Sequence, residues 1–222
     1  MARPAACLFD LDGLLLDTEP LHARAWREAA AHFGCALRSD QLLQLRGRRR
    51  CECTEQVIAW IAAAQPAMPP TPAALLAVRQ PIAEALLVQA QPMPGAAALI
   101  RRCQELAIPM ALATSSSRAA VALKAEPHPW LGAIQTRVHG DDPELRAGKP
   151  APDVFLLAAS RLGVNPTACW AFEDSPAGAR AAWQAGCRVL VVAPPEFTEP
   201  ERLALYPQAH QLLNSLQEVE LG

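Results

Sequence analysis

The sequence predicts an α/β protein whose parallel sheet, covered by helices on both faces, is interrupted after its first strand by a purely helical segment. Three observations carry this. Ala5–Phe9 is an uncharged run near the N-terminus that ends at Asp10, as a strand buried on both faces would. After Met93-Pro94-Gly95, apolar runs of strand length alternate with helical patterns, the arrangement of βαβ units. Between them, from Leu16 to about Gln91, no segment reads as a strand. The chain therefore divides into a Rossmann-like core, residues 1–15 and 92–222, and an α-helical insertion, residues 16–91.

The elements follow in order. Thr18-Glu19-Pro20 starts a helix with proline in its first turn, and Gly34 stops it. Leu21, Ala25, Trp26, Ala29 and Phe33 give it an apolar face. Ser39-Asp40 caps a short second helix, ended by Gly47. Further helices are expected over Cys53–Ala64 and Thr71–Val88, the latter with a possible break at Pro81. Then come a helix over Ala96–Leu106, a strand over Ile108–Ala113, a serine-rich turn and a helix over Arg118–Lys124. A strand near Ile134–Val138 precedes a helix from Asp153 to Leu162, stopped by Gly163. Ala168–Phe172 and Arg188–Val192 are two more strands, separated by a helix over Ala177–Ala185. Pro194–Pro207 reads either as a loop and short helix near a site entrance or as a surface connection.

Composition narrows the function. The 222 residues are 51% hydrophobic with a formal net charge of -2, enough for one sizeable core plus an insertion. A non-specific nucleic-acid binder would need a large basic excess. No apolar run reaches the roughly 18 residues of a membrane span. Asp10, Asp12 and Asp17 interrupt the N-terminal apolar stretch, so no signal peptide is expected. The expectation is a cytoplasmic monomer that binds neither nucleic acid nor membrane. Seven cysteines, an odd number in apolar contexts, read as free structural thiols, and Cys51-Glu52-Cys53 lacks zinc or redox spacing.

Four polar signals fall where predicted strands end. Asp10 and Asp12 close the first strand, with Gly13 turning the chain away. Thr114-Ser115-Ser116-Ser117 follows the second and precedes a helix, so hydroxyls and free amides could hold an anion. Gly148-Lys149-Pro150 holds one cation in a turn, and Glu173-Asp174 follows the strand that ends at Phe172. Taken singly, all but the Asp pair could be turn caps or solvated charges. Their convergence at successive strand ends points to phosphoryl transfer.

The ordered set Asp-x-Asp-Gly, Ala-Thr-Ser, Gly-Lys-Pro and Glu-Asp-Ser resembles the haloacid dehalogenase superfamily of phosphatases over essentially the whole chain. The helical insertion resembles that superfamily's cap. Gly140-Asp141-Asp142-Pro143-Glu144 and Leu213-Asn214-Ser215-Leu216 resemble the pseudouridine-5′-phosphatase and glycerol-3-phosphatase group. The resemblance implies Asp10 as nucleophile, forming an aspartyl-phosphate, and Asp12 as the acid and base that serves leaving group and water. It implies Mg²⁺ held by Asp10, the Asp12 backbone carbonyl and Asp174, with Glu173 binding directly or through water. Thr114 and the amide of Ser115 would hold phosphate oxygens, with Lys149 as a second positive charge. Halide-displacing relatives lack the second aspartate, so Asp12 favours phosphate esters.

Specificity is expected from the cap. In Arg46-Gly47-Arg48-Arg49-Arg50, Arg46 and Arg49 read as solvated charges and Arg48 as the better candidate substrate contact. Arg50 resembles the arginine that β-phosphoglucomutases use on a distal phosphate. His22, four residues after Thr18, is a candidate substrate contact, and Trp26 reads as packing. The leading expectation is a Mg²⁺-dependent phosphatase of a small phosphorylated sugar, polyol or nucleoside. The alternatives are a β-phosphoglucomutase-like isomerase and a non-catalytic binding module.

Overall fold

Six parallel strands form one sheet in the order β3-β2-β1-β4-β5-β6: β1 (Ala6–Phe9), β2 (Met110–Ala113), β3 (Thr136–Val138), β4 (Cys169–Glu173), β5 (Arg188–Val192) and β6 (Gln211–Leu213). The computed structural model describes residues 3–64, 69–195 and 197–222. Strands are laid outward from β1 first to one side and then to the other. The reversal lies between β1 and β4, and at such a point a doubly wound sheet opens a crevice beyond its strand ends.

Alternation along β1 sorts its side chains onto two faces. Cys7 and Phe9 join Leu99, Ile100 and Cys103 of α5 (Ala96–Glu105). Ala6 and Leu8 join Phe155 and Ala158 of α7 (Asp153–Leu162) and Ala182 of α8 (Pro176–Gln184). Phe9 stacks on its β4 neighbour Phe172 with ring centroids 4.9 Å apart. β1 is wholly buried, so the backbone that presents Asp10 is held from both sides.

Among the described residues between β1 and α5 the elements are helices: α1 (Glu19–His32), α2 (Ser39–Leu43), α3 (Arg50–Ala64) and α4 (Pro72–Leu87). Trp26, Ala29, Leu42, Val57, Ile61 and Leu75 form its own apolar core. Two boundaries differ from expectation. Helix α3 starts at Arg50, three residues early, because Glu52 turns back to accept the Arg49 N–H at 3.2 Å. Helix α4 runs unbroken through Pro81, since Leu75 on one side and Ala83 and Leu87 on the other are packed against α1. That packing outweighs the one hydrogen bond proline removes.

The remaining elements match the expected alternation, with shorter strands. β2 begins at Met110 and β3 keeps only three residues. Helix α6 (Arg118–Ala125) follows the serine-rich turn. Of the two readings of Pro194–Pro207, the structure shows the loop and short helix: α9 (Glu199–Leu205) forms behind Thr198 and Glu201, which cap it reciprocally; Glu196 of that segment lies outside the described residues. The edge strand β6 was not anticipated, because three residues carry no period. All seven cysteines are free thiols, six of them buried.

Candidate active site

The sheet's switch point brings three carboxylates together. Asp10 at the end of β1 and Glu173 and Asp174 at the end of β4 are buried, and one oxygen of each lies within 4.8 Å of the others. Lys149, 1% exposed, joins two of them, donating at 2.5 Å to Asp10 Oδ1 and at 2.5 Å to Glu173 Oε1. The other Glu173 oxygen accepts the backbone N–H of Asp174 and Ser175 and the Ser175 hydroxyl, 3.0–3.3 Å away. The Tyr206 hydroxyl donates to the Asp174 carbonyl at 2.5 Å. Two glycines make room: a β-carbon at Gly13, where φ is +81°, would collide with the Asp174 carboxylate, and one at Gly178 with that of Glu173.

Charge is unbalanced in this cluster. Burial pushes Asp10 up to about 7, against the pull of Lys149 and with that of Glu173 and Asp12. Burial, helped by Glu19, Glu173 and Asp10, lifts Asp174 well above the usual carboxylate range. Burial alone would lower Lys149, yet Asp10 and Glu173 hold it above the usual lysine range. Three hard-oxygen donors facing a single cation fit a hard divalent ion.

Asp12 stands in a different environment. Its Oδ1 accepts from the Thr18 hydroxyl at 2.7 Å, from Lys124 Nζ at 2.5 Å and from His22 at 3.2 Å. Its Oδ2 accepts from Lys124 at 2.7 Å and from the Ser116 hydroxyl at 2.7 Å. Burial would raise Asp12, but Lys124 and His22 outweigh it and hold the carboxyl well below the usual range. Thr18 occupies the cap position of α1 without capping it; its hydroxyl goes to Asp12 instead. Arg79 Nη2 donates to His22 Nδ1 at 3.0 Å, which makes Nδ1 the acceptor and leaves Nε2–H to point at Asp12.

Thr114 is fully buried, with its hydroxyl accepting the Ser116 N–H at 3.1 Å. The Ser115 hydroxyl donates to the Gly47 carbonyl of the helical segment at 2.6 Å, and Ser117 caps α6. Asp10, Asp12, Thr114 and Ser115 share one cavity of about 1140 Å³ with His22, Arg48, Arg50 and Arg79. Arg48 is exposed there, and Arg50 donates to Gln80 at 3.1 Å. Arg46 corrects the sequence reading: it is a largely buried side chain lining the cavity, 3.4 Å from Glu19, rather than a solvated charge. Burial pushes that glutamate up to about 8 despite Arg46. Arg49 pairs with Glu52 at 2.9 Å.

The structure thus gathers the sequence-derived candidates and adds Lys124, Glu19, Arg79 and Tyr206. Lys124 had a readable signal, since it lies three residues after buried Val121 on one face of α6. Arg79 had a signal of the same kind, since it lies four residues after buried Leu75 and four before buried Ala83 on one face of α4.

Comparison with known proteins gives consistent matches. Residues 4–186 match the haloacid dehalogenase-like hydrolase family. The chain is 36% identical over 221 residues to the probable pseudouridine-5′-phosphatase of Drosophila melanogaster, covering 95% of this chain and 89% of that one. It is 36% identical over 186 residues to the fructose-1-phosphate phosphatase YqaB of Escherichia coli, covering 83% and 94%. Among solved structures, a mutant of CbbY from Rhodobacter sphaeroides in complex with xylulose-(1,5)bisphosphate superposes with a TM-score of 0.78 at 31% identity, covering 97% and 96%.

Proposed function

The chain belongs to the haloacid dehalogenase-like hydrolases, as a phosphatase of small phosphorylated metabolites, and we propose that it works through an aspartyl-phosphate on Asp10 with Asp12 as acid and base. The observation that carries this reading is that two carboxylates at one strand end face one cavity in opposite electrostatic settings, Asp10 beside a metal-type acid cluster and Asp12 in a cradle of donors.

In the first step Asp10 attacks phosphorus and the ester P–O bond breaks. The departing alkoxide is a poor leaving group and takes a proton from Asp12. In the second step Asp12 receives a proton from water, whose oxygen attacks phosphorus, breaks the Asp10–phosphate bond and releases inorganic phosphate. The first step starts from protonated Asp12 and the second regenerates it; Lys124 and His22 favour the carboxylate that forms between the two steps. Thr114 and the Ser115 amide hold phosphoryl oxygens, and Lys149 fixes Asp10 against rotation while adding positive charge. Asp10, Asp174, the Asp12 carbonyl and Glu173, directly or through water, would hold Mg²⁺, which supplies charge that offsets repulsion between carboxylate and phosphate. Residues 16–91 act as a cap that excludes water, a role supported by the bond from Ser115 to Gly47.

The substrate class is a phosphorylated sugar, polyol or nucleoside; the pseudouridine-5′-phosphatase and fructose-1-phosphate phosphatase relatives support its nucleoside and sugar members. The test is phosphate release from such a panel with Mg²⁺, with Asp10→Asn as the blank. Release that vanishes in the variant supports the reading. Little release, with interconversion of β-glucose 1-phosphate and glucose 6-phosphate, would replace hydrolysis by phosphoryl return to sugar.

A further inference from the structure

We propose that Arg79 is the anchor for a second anionic group on the substrate, a carboxylate or further phosphate carried a few bonds from the scissile ester. This rests on the proposed phosphatase reading and extends its substrate class to phosphate esters that carry a second anionic group.

Arg79 projects from α4 into the cavity that holds Asp10 and Asp12. It is 5% exposed, and its Nε is buried without a hydrogen-bond partner. Its guanidinium lies 4.3 Å above the Trp26 ring, and Nη2 is committed to His22. Among the described residues no carboxylate pairs with it, whereas Arg46 has Glu19 and Arg49 has Glu52. Cys53 lies close by, Asp12 acts only from across the imidazole, and Arg50 repels, so this buried cation has no directly bonded anion and is undercompensated. Burial pulls Arg79 down to about 10, so it keeps its charge at neutral pH.

A hydroxyl entering the cavity would satisfy the hydrogen bond but leave the charge uncompensated; an anion satisfies both. Position sets the reach. One imidazole ring separates Arg79 from Asp12, bonded at 3.0 Å on one side and 3.2 Å on the other. Asp12 serves the leaving oxygen, so a group that meets Arg79 sits a short carbon chain away. The exposed Arg50, already bonded to Gln80, is the weaker candidate for this role.

The test compares 3-phosphoglycerate with glycerol 3-phosphate, which differ by carboxylate against hydroxymethyl, using the Mg²⁺-loaded full-length protein. The wild type should favour the carboxylate in kcat/KM. Arg79→Met should lose roughly ten- to a hundredfold on 3-phosphoglycerate and a few-fold on glycerol 3-phosphate, the size of one charged hydrogen-bonded contact. The loss should fall mainly in KM, and Arg79→Lys should recover part of it. The ratio of the two substrates within one preparation cancels any change in folded fraction. Calorimetric binding of both compounds to Asp10→Asn gives an arm independent of turnover. If nothing is hydrolysed yet Asp10→Asn binds 3-phosphoglycerate more tightly and loses that preference with Arg79→Met, the reaction reading fails and the anchor stands. Equal losses on both compounds, a wild-type preference for glycerol 3-phosphate, or no binding of either would overturn the anchor.

Discussion

The Ser115 hydroxyl and the Gly47 carbonyl, 68 residues apart in sequence, meet at 2.6 Å and tie the loop after β2 to the turn between α2 and α3. Gly47 adopts φ +73°, and a β-carbon there would collide with the Ser175 hydroxyl at the start of α8. One turn of the helical segment thus rests on two strand-end loops at once. Ser115→Ala deletes one neutral hydrogen bond, about 0.5–1.5 kcal/mol of closure. The expected result is KM raised by roughly three- to tenfold with kcat little changed, since the Ser115 amide remains. Gly47→Ala adds left-handed strain of about 1–2 kcal/mol and a steric clash, and should lower kcat as well. Steady-state kinetics on the best substrate of the panel checks both; an unchanged Gly47→Ala enzyme would contradict this account of closure.

Gly178 presents a case where helix propensity and packing disagree. It lies in the first turn of α8, where alanine would ordinarily gain about 0.5–1 kcal/mol. Its missing side chain is the space occupied by the Glu173 carboxylate, one of the two anions that hold Lys149. Gly178→Ala should therefore destabilise, by about 1–3 kcal/mol as for other overpacked cores, and displace Lys149 from Asp10. Thermal melting and phosphate release should fall together. A stabilised, fully active variant would show that the carboxylate moves freely.

Lys124 is fully buried with Asp12 as its counter-ion, bonded through both carboxylate oxygens. Removing one partner of a buried pair costs about 3–5 kcal/mol, mostly from the charge left behind. Lys124→Met should be destabilised by that order. The double variant Asp12→Asn/Lys124→Met should lose clearly less than the sum of the two single losses, because no charge is then stranded. Denaturant melts of the four proteins of this cycle measure the coupling; strict additivity would mean that water already reaches the pair.

Much of this is legible in the sequence, and the limits have physical causes. Asp10, Thr114 and Glu173 announce themselves because each closes a strand-like run and parallel strands point the same way, and Lys149 because it is a lone cation in a Gly-Lys-Pro turn ahead of a helix. The switch between β1 and β4 then makes them neighbours. What the sequence hid depends on contacts across long separations. Lys124 and Arg79 fall on the buried faces of their helices, but their partners do not show: Arg79 meets His22 over 57 residues, and Lys124 meets Asp12 over 112. Arg46 reads as solvated in a run of arginines until Glu19 is seen beside it. Pro81 reads as a breaker until α1 is seen packed on both sides of it.

The acid cluster predicts an inverted pH profile for the metal-free protein. Asp10 is pushed up to about 7, Glu19 to about 8 and Asp174 well above the ordinary range, whereas the unfolded chain ionises such groups near 3.8 to 4.5. Between those limits the folded state holds more protons, so stability falls as pH rises, by about 1.4 kcal/mol per pH unit for each proton difference. Asp12 works the other way: held below its ordinary value, it contributes stability that is lost only under acid conditions. With a chelator present, the protein should melt higher at pH 6 than at pH 8. Asp174→Asn should raise the melting temperature at pH 8 and flatten the profile, because it removes one carboxylate that is costly to ionise. Mg²⁺ should stabilise the wild type at pH 8, by about 2.7 kcal/mol at a hundredfold excess over its Kd, and stabilise Asp174→Asn much less. Calorimetric melts across pH with chelator or with Mg²⁺ decide it. A flat profile without metal, or an equal response to Mg²⁺ in the variant, would remove Asp174 from the metal set.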